Sequence, residues 1–239
     1  MHFHVITLFP ESLESYLASS IIARGISDKK IKVSTYQLRD FTPKELRKKW
    51  PDGNVTSYVD DRPYGGGPGM VLRAEPFLVA VEKILKKLKA KSYKLKVKVI
   101  FFSPSGKQFD TAYAKQSAKK YTDIIFLCGR YEGIDARVKT LLKAEEISVG
   151  PYVLTGGELP ALIMIDSMAR QVPGVLGKQE SLEEERISSS EIYTRPEILV
   201  WPPSSKTSVG RSKKHLVPAV LLSGHQKKIE EWKQERNKE

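Results

Sequence analysis

Residues 123–133 read DIIFLCGRYEG, in which an apolar run at 124–128 leads directly into a glycine-bearing loop. A short apolar run of this kind is typical of a strand that is buried on both faces of a parallel sheet. Working outward, strand-like segments alternate with helix-like ones: HFHVITLF (residues 2–9), VKVIFF (97–102) and EEISVG (145–150) each border a helical pattern. Strands that alternate with helices predict an α/β fold with a mostly parallel sheet.

The composition indicates a folded and strongly basic protein. The chain has 239 residues, a formal net charge of +12 and 40% hydrophobic residues. This apolar content is too high for a disordered chain, and the length suffices for a buried core. A basic excess favours a polyanionic partner such as a nucleic acid, because neutralised phosphates release condensed counterions. A protein kept in solution by surface lysines accounts for the charge equally well.

Nothing in the sequence predicts a membrane or secreted protein. No apolar run approaches the roughly 18–20 residues that cross a bilayer. The first residues, MHFHVITLFPES, lack the basic segment and the small-residue cleavage site of a signal peptide. The one cysteine, Cys128, excludes an intramolecular disulfide. We therefore expect a cytoplasmic protein.

The character of the chain changes after residue 176. Residues 177–195 are polar, acidic and serine-rich, which is typical of a linker. We predict a catalytic or ligand-binding domain at 1–176, an interdomain linker at 177–195, and a small basic module, mainly helical, at 196–239. Within the first domain, a polar stretch at 41–61 shows no clear periodicity.

Three glycine-bearing loops follow or border the predicted strands: Tyr64–Met70, Cys128–Gly133 and Pro151–Pro160. In open α/β sheets, ligands bind beyond the carboxyl ends of the strands, where glycine allows a close approach to the backbone. None of the three matches the dinucleotide fingerprint or the Walker A loop. One such loop is most often a simple turn, but three in one domain predict a cofactor site.

The motifs resemble those of the bacterial tRNA (guanine-N1)-methyltransferases of the TrmD type, which belong to the SPOUT superfamily. The resemblance covers nearly the whole chain, and the order and approximate spacing of the motifs also match. The matching segments are Val5–Pro10 (VITLFP), Asp60–Met70 (DDRPYGGGPGM), Ser103-Pro104, Cys128–Asp135 (CGRYEGID), Tyr152–Pro160 (YVLTGGELP), Ile165–Arg170 (IDSMAR), Pro173–Gly177 (PGVLG), Tyr193–Glu197 (YTRPE) and Val220–Gly224 (VLLSG).

This resemblance implies a parallel α/β domain with a trefoil knot in its C-terminal part, an exception to the rule against knotted chains. It implies S-adenosylmethionine as methyl donor and a homodimer with active sites shared between subunits. The implied substrate is tRNA with guanosine at positions 36 and 37, and the product carries 1-methylguanosine at position 37. A magnesium ion is compatible with the family's dependence on divalent metals, although the sequence assigns no metal ligand.

By position in the family's motifs, the cofactor would be held by three segments. Apolar and aromatic side chains among them would pack against a flat base while backbone groups at glycines bond to its edge. Glu132 would face the cofactor's positive end. The residues are Phe101, Phe102, Ser103, Pro104, Gly129, Glu132, Gly133, Val149, Gly150, Pro151, Tyr152, Val153, Leu154, Gly156, Gly157 and Pro160.

Two catalytic roles follow from the same resemblance. The neutral guanine N1 is not nucleophilic, so a carboxylate must take its proton. Glu185 occupies the position where the family has an aspartate, Glu184 is the alternative because the register is uncertain, and a solvated acidic run without a catalytic role stays open. Arg170 would stabilise negative charge developing on the guanine O6, unless it is only a cation at a helix end.

Other interpretations remain open at this point. A related knotted methyltransferase could act on another RNA, although the YTRPE segment argues against that, and a basic RNA-binding protein without catalysis would account for the altered Glu185-Arg186 segment. Residues 199–217 are predicted to be an insertion relative to the family. His2 and His4 alternate with apolar residues on the first strand, which favours structural histidines over a metal site.

Overall fold

The computed structural model describes residues 1–90, 95–176, 191–202 and 212–236. The chain divides into two compact units, Met1–Gln179 and Glu180–Glu239. The predicted domain limits stay a prediction, since much of the proposed linker lies outside the described residues.

The first unit is built on a five-stranded sheet in which every neighbouring pair of strands is parallel. The strand order is β2-β1-β8-β7-β9. The predicted α/β class with a mostly parallel sheet is therefore confirmed. The trefoil knot stays a prediction. The strands are β1 (His2–Thr7), β2 (Lys32–Gln37), β7 (Val97–Gln108), β8 (Asp123–Leu127) and β9 (Glu145–Ser148).

Strand β8 lies inside the sheet, which explains why its sequence is apolar after Asp123. All five of its residues are buried. Ile124 and Phe126 pack into one core cluster, and Ile125 and Leu127 pack into a second cluster on the other side of the sheet. Successive side chains of a strand point to opposite faces, so a strand covered on both faces needs no polar alternation.

Helices cover both faces of this sheet. Helix α3 buries Phe77, Ala80, Val81 and Ile84, spaced as one apolar stripe of a helix, and its last turn is basic, which complements the helix dipole. Asp110 caps helix α4 by accepting a hydrogen bond from the Tyr113 amide at 2.7 Å. The helices of this unit are α1 (Glu14–Leu17), α2 (Ser20–Ser27), α3 (Ala74–Lys89), α4 (Thr111–Lys120), α5 (Arg137–Leu141) and α6 (Glu158–Arg170).

The polar stretch at 41–61 contains an antiparallel ribbon that its sequence pattern does not reveal. Strand β3 (Arg47–Lys49) pairs with β4 (Val55–Ser57), and the turn between them contains Gly53 at a φ of 86°. A second short pair, β5 (Asp60–Asp61) with β6 (Val71–Leu72), encloses the first glycine loop. Both ribbons thus lie on the path from the sheet to that loop.

The second unit contains strand as well as helix in its described part. Strands β10 (Ile198–Trp201) and β11 (Lys213–Leu216) form an antiparallel pair across the segment predicted as an insertion, and helices α7 (Ala219–Leu222) and α8 (Gln226–Arg236) follow. The prediction of a mainly helical module did not include this ribbon. Among the described residues, no helix has the length and apolar character needed to span a membrane.

Candidate functional site

A cavity of about 290 Å³ lies at the carboxyl ends of β7, β8 and β9. Its walls come from the segment where β7 shifts register between Phe102 and Lys107, from the loop after β8, and from the loop between β9 and α6. Carboxyl ends of parallel strands meet at one edge of a sheet, which explains why three segments distant in sequence surround one space.

The structure brings together nearly all of the residues predicted to hold a cofactor. Pro151 is the exception, because it does not line the cavity although both of its neighbours do. The predicted residues that line it are Phe101, Phe102, Ser103, Pro104, Gly129, Glu132, Gly133, Val149, Gly150, Tyr152, Val153, Leu154, Gly156, Gly157 and Pro160.

Six further residues line the cavity and were not predicted from the sequence: Arg130, Tyr131, Ile134, Ile147, Ser148 and Thr155. Arg130 carries the clearest missed signal, since it pairs with Glu158 at 3.0 Å. The signal in the sequence is one cation, Arg130, in the loop 128–133 and one carboxylate, Glu158, in the loop 151–160, which could have indicated such a pair. Of the other five, Tyr131 and Thr155 lie between predicted residues, and the remaining three extend the predicted segments by one or two positions.

Hydrogen bonds and an ion pair fasten the two glycine loops to each other. The Gly157 amide donates to the Gly129 carbonyl at 3.0 Å. The Glu158 side chain is buried, accepts a hydrogen bond from the Thr7 hydroxyl and faces the Arg130 guanidinium. The other side of that guanidinium lies over the Phe9 ring, 4.8 Å from its centroid. The buried carboxylate therefore fixes the relative position of the loops.

Gly157 occupies a place where no larger residue fits. A β-carbon built there lies 2.6 Å from the Cys128 Cα and 3.0 Å from the Gly129 amide nitrogen. Carbon atoms in contact normally lie about 3.5–4.0 Å apart. Because both neighbours are backbone atoms, they cannot rotate away, so the glycine lets α6 begin directly against the loop that follows β8.

The first glycine loop, Tyr64–Met70, is attached to the same region but does not line the cavity. The Glu132 amide donates to the Met70 carbonyl at 3.0 Å, and the Leu72 amide donates to the Gly133 carbonyl at 2.9 Å. Gly69, at a φ of 84°, lies so close to the Glu132 side chain that a β-carbon there would be 2.5 Å from its Oε1. The loop therefore positions Glu132, which is itself exposed.

The cavity suits binding and orientation rather than nucleophilic catalysis. Its walls combine partly buried aromatic rings with glycine backbone, as in sites that hold a flat heterocycle. The one cysteine next to it, Cys128, is fully buried, and this burial raises the pKa of its thiol well above the usual value. A thiol in that state is not a nucleophile.

Arg170, the one predicted catalytic residue among the described residues, does not line the cavity of its own chain. Arg170 is the last residue of α6, ten positions after Pro160, which corresponds to roughly 15 Å along the helix axis. It is absent from the cavity wall. Glu184 and Glu185 lie outside the described residues, as does Arg186.

A parallel α/β unit with a cavity at the carboxyl ends of its strands has the arrangement in which proteins of the open-sheet class bind their ligands. Comparison with known proteins gives the family. The model of the family tRNA (Guanine-1)-methyltransferase TrmD matches residues 1–239. The chain therefore belongs to that family, and it is a methyltransferase.

Curated relatives match over almost the same length. The tRNA (guanine-N(1)-)-methyltransferase of Clostridioides difficile (strain 630) is 42% identical over 237 residues, covering 99% of this chain and 92% of the relative. The enzyme of the same name from Alkaliphilus oremlandii (strain OhILAs) is 40% identical, with 98% and 86% covered. That from Geobacter metallireducens (strain ATCC 53774 / DSM 7210 / GS-15) is 38% identical, with 99% and 86% covered.

Proposed function

We propose that the chain transfers a methyl group from S-adenosylmethionine to N1 of guanosine at position 37 of tRNA, next to the anticodon, giving 1-methylguanosine. The observation that carries this proposal is the cavity at the ends of β7, β8 and β9. It lies in a member of a tRNA methyltransferase family, and its walls are the segments that the family's motifs predict.

The cavity residues fit an adenosyl compound in their chemistry. Phe101, Phe102 and Leu154 are partly buried and offer apolar surface for a purine ring. The backbone groups at Gly129 and Gly150 lie in the wall, where they can bond to the edge of a base. The carboxylate of Glu132 supplies a negative charge at the rim, which suits a sulfonium cation. S-adenosylmethionine, when bound, supplies the electrophilic methyl group.

The chain's own carboxylate and guanidinium would then handle the proton and the charge on guanine. Glu185, or Glu184 in the neighbouring register, accepts the proton from guanine N1, so that the ring nitrogen presents a lone pair to the methyl carbon. Arg170 stabilises the negative charge that spreads to O6 as the proton leaves. The carboxylic acid formed is then deprotonated to solvent after the product dissociates.

A homodimer accounts for the distance between Arg170 and the cavity of its own chain. Leu159, Ile163, Asp166 and Arg170 share one face of α6. The first two are exposed apolar residues, and Asp166 accepts a hydrogen bond from the Tyr16 hydroxyl at 2.6 Å. We propose that this face contacts a second copy of the chain, whose cavity receives Arg170.

Unsatisfied polar atoms at the end of α6 support the same assembly. The Arg170 Nε and the Gln171 Nε2 are buried, and neither has a hydrogen-bond partner among the described parts of the chain. Buried polar nitrogens without partners destabilise a fold by roughly 1–3 kcal/mol each. A partner subunit or a bound tRNA can supply the missing acceptors.

Transfer RNA would be held partly by the β3–β4 ribbon. Arg47, Lys48 and Lys49 are all exposed, and the Lys48 ammonium lies 3.8 Å from the centre of the exposed Trp50 ring. Lysines and arginines bind phosphates, and an exposed aromatic ring can stack on an unpaired base. The ribbon leads through β5 into the first glycine loop, so it lies on a segment attached to the site.

The decisive assay is transfer of a labelled methyl group to an unmodified tRNA transcript with guanosines at positions 36 and 37. The control transcript carries adenosine at position 37. We expect labelled 1-methylguanosine from the first transcript alone. Glu185→Gln and Glu184→Gln locate the base, and the one that lowers kcat with little change in tRNA affinity identifies it.

The outcomes separate the proposal from its rivals. Methylation of another nucleoside indicates a related methyltransferase with a different target. Binding of tRNA without stabilisation by S-adenosylmethionine indicates an RNA-binding protein that does not catalyse, since a ligand of the native state must raise the melting temperature. Either result contradicts the proposed activity.

Shared active sites are testable by mixing two inactive variants. Arg170→Gln and Glu132→Gln alter the two halves of the proposed composite site. If each site takes Arg170 from one subunit and Glu132 from the other, co-expressed chains form mixed dimers with one intact site. About a quarter of all sites then regain activity. No recovery in mixed dimers contradicts the sharing.

A further inference from the structure

Two histidines and an aspartate converge at the amino ends of the sheet strands, opposite to the end where the cavity lies. His2 and His4 are on β1, and Asp123 is the first residue of β8. His2 pairs with Asp123 in the register of the two strands, and His4 lies two residues further along β1 on the same face. The cluster is therefore set by the strand pairing at the centre of the sheet.

The separations within this cluster match those of a transition-metal site. The His4 Nε2 lies 3.0 Å from the Asp123 Oδ1, and the His2 Nδ1 lies 3.6 Å from the same oxygen. One donor atom from each of the three residues falls within 4.8 Å of the other two. Ligand atoms about 2.0–2.1 Å from a tetrahedral zinc ion lie roughly 3.3 Å from one another, so the three atoms need only small shifts.

The outer ring nitrogens of both histidines are already held by hydroxyl groups. The His2 Nε2 lies 2.9 Å from the Ser34 Oγ, and the His4 Nδ1 lies 2.9 Å from the Tyr36 hydroxyl oxygen. Metal-bound histidines usually donate their second N–H to such a partner, which fixes the ring and leaves the inner nitrogen free for the metal. For His4 this requires that the ring proton move from Nε2, which donates to Asp123, to Nδ1, while the Tyr36 hydroxyl changes from donor to acceptor.

The charge state of the cluster also suits a cation. Neutral imidazole is the form that binds metals, and a carboxylate supplies the negative charge. Asp123 is buried at 6% exposure and contributes the anionic ligand. The His2 side chain is 21% exposed, which leaves a path for the ion from solvent.

We propose that His2, His4 and Asp123 form a binding site for a divalent transition-metal ion, with Zn²⁺ as the best match and water as the fourth ligand beside His2. Two imidazoles and a carboxylate are a ligand set that Zn²⁺ binds readily, whereas Mg²⁺ prefers oxygen ligands alone. This proposal departs from the sequence-based expectation of purely structural histidines. It is independent of the proposed methyl transfer, because the site lies at the other end of the sheet.

The ion would connect the two central strands of the sheet. Its ligands come from β1 and β8, which are separated by more than one hundred residues. A metal that binds only the folded chain raises the stability of that pairing. We therefore assign the site a structural role that responds to the supply of zinc.

The test is isothermal titration of the full chain with Zn²⁺ after treatment with a chelator. We expect one ion per chain, a rise in melting temperature on loading, and retention of binding in excess Mg²⁺. His2→Gln, at a partly exposed position, should weaken the binding at least tenfold and abolish the thermal shift. Co²⁺ loading should give the visible absorption of a tetrahedral site in the wild type and lose it in this variant.

The chain supplies its own matched control. His215 and His225 are exposed and belong to the second unit. The His215→Gln/His225→Gln variant removes two exposed imidazoles, one more than His2→Gln removes, and it should bind Zn²⁺ as the wild type does. The proposal is overturned if the wild type binds no Zn²⁺ at millimolar concentration. Binding that survives His2→Gln, or that disappears in the control variant, overturns it equally.

Discussion

Replacing Gly157 by alanine places a methyl group against the backbone of the loop that follows β8. The new carbon lies 2.6 Å from the Cys128 Cα, about 0.9–1.4 Å closer than an ordinary carbon contact. The φ of Gly157 is −84°, which any residue adopts, so the effect is steric and not conformational. Relief requires that the start of α6 and the β8 loop separate by about 1 Å.

That separation has two measurable consequences. Overpacking of this size costs about 1–3 kcal/mol, which lowers the melting temperature of a chain of this length by about 2–12 °C. The cavity changes shape because both separated segments form its wall. We therefore expect the affinity for S-adenosylmethionine, measured by titration calorimetry, to fall at least tenfold.

Gly25→Ala is the matched control for this experiment. Gly25 lies in helix α2, and a β-carbon there meets Ile31 and Val175 side chains at 3.4 Å, an ordinary contact. Alanine is also the better helix former by up to about 1 kcal/mol. We expect unchanged or higher stability and unchanged cofactor affinity. If Gly157→Ala behaves in the same way, the close approach of the two loops is not what shapes the cavity.

Three further perturbations follow from the described contacts. Arg130→Gln leaves the Glu158 carboxylate buried without its cation and should lower the free energy of unfolding, measured in urea melts, by about 1–3 kcal/mol. Adding Glu158→Gln should restore the stability. An unchanged free energy of unfolding in Arg130→Gln contradicts the pairing. The hydrogen bond that Tyr16 donates to the carboxylate on α6 raises the pKa of its phenol to about 12. The stabilisation of the fold by this hydrogen bond should be complete below pH 10 and lost as the pH rises through 12. Tyr16→Phe should lack this pH dependence. If ultraviolet absorption shows that Tyr16 titrates near pH 10, the hydrogen bond is refuted. The double variant Lys48→Gln/Lys49→Gln should weaken tRNA binding and leave the melting temperature unchanged. The slope of log affinity against log salt concentration should fall by about 1 for each phosphate that is no longer neutralised. An unaltered slope excludes the β3–β4 ribbon from the tRNA interface.

The sequence predicted those features that follow from the side chains of one short segment. The segment 123–127, apolar after Asp123, predicted a buried strand, and glycine-bearing loops at strand ends predicted a cofactor site, because both features follow from local chemistry. Pro151 was predicted to hold the cofactor, and it does not line the cavity although both of its neighbours do. Which residues of a loop face a cavity depends on the path of the whole loop, which no single residue reveals.

Features that depend on pairing between distant residues were harder to predict. The Arg130–Glu158 pair requires two loops to meet, and the β3–β4 ribbon has too few residues per strand for alternation to show. The His2–His4–Asp123 cluster likewise depends on the register between β1 and β8. Sequence alone indicated a structural role for the two histidines because their aspartate partner is more than one hundred positions away.

The order of strands in the sheet also bears on how the protein is made. Strand β1 lies between β2 and β8, and its register with β8 joins His2 to Asp123. At about 5–20 residues per second, a ribosome needs roughly 6–24 s to extend the chain from one to the other. Throughout that interval, one edge of an apolar strand remains without its partner. Nascent chains of this protein should therefore depend on chaperones until β8 emerges. A shortage of chaperones should reduce the yield of folded protein more than a mutation that lowers the stability of the finished fold by a few kcal/mol.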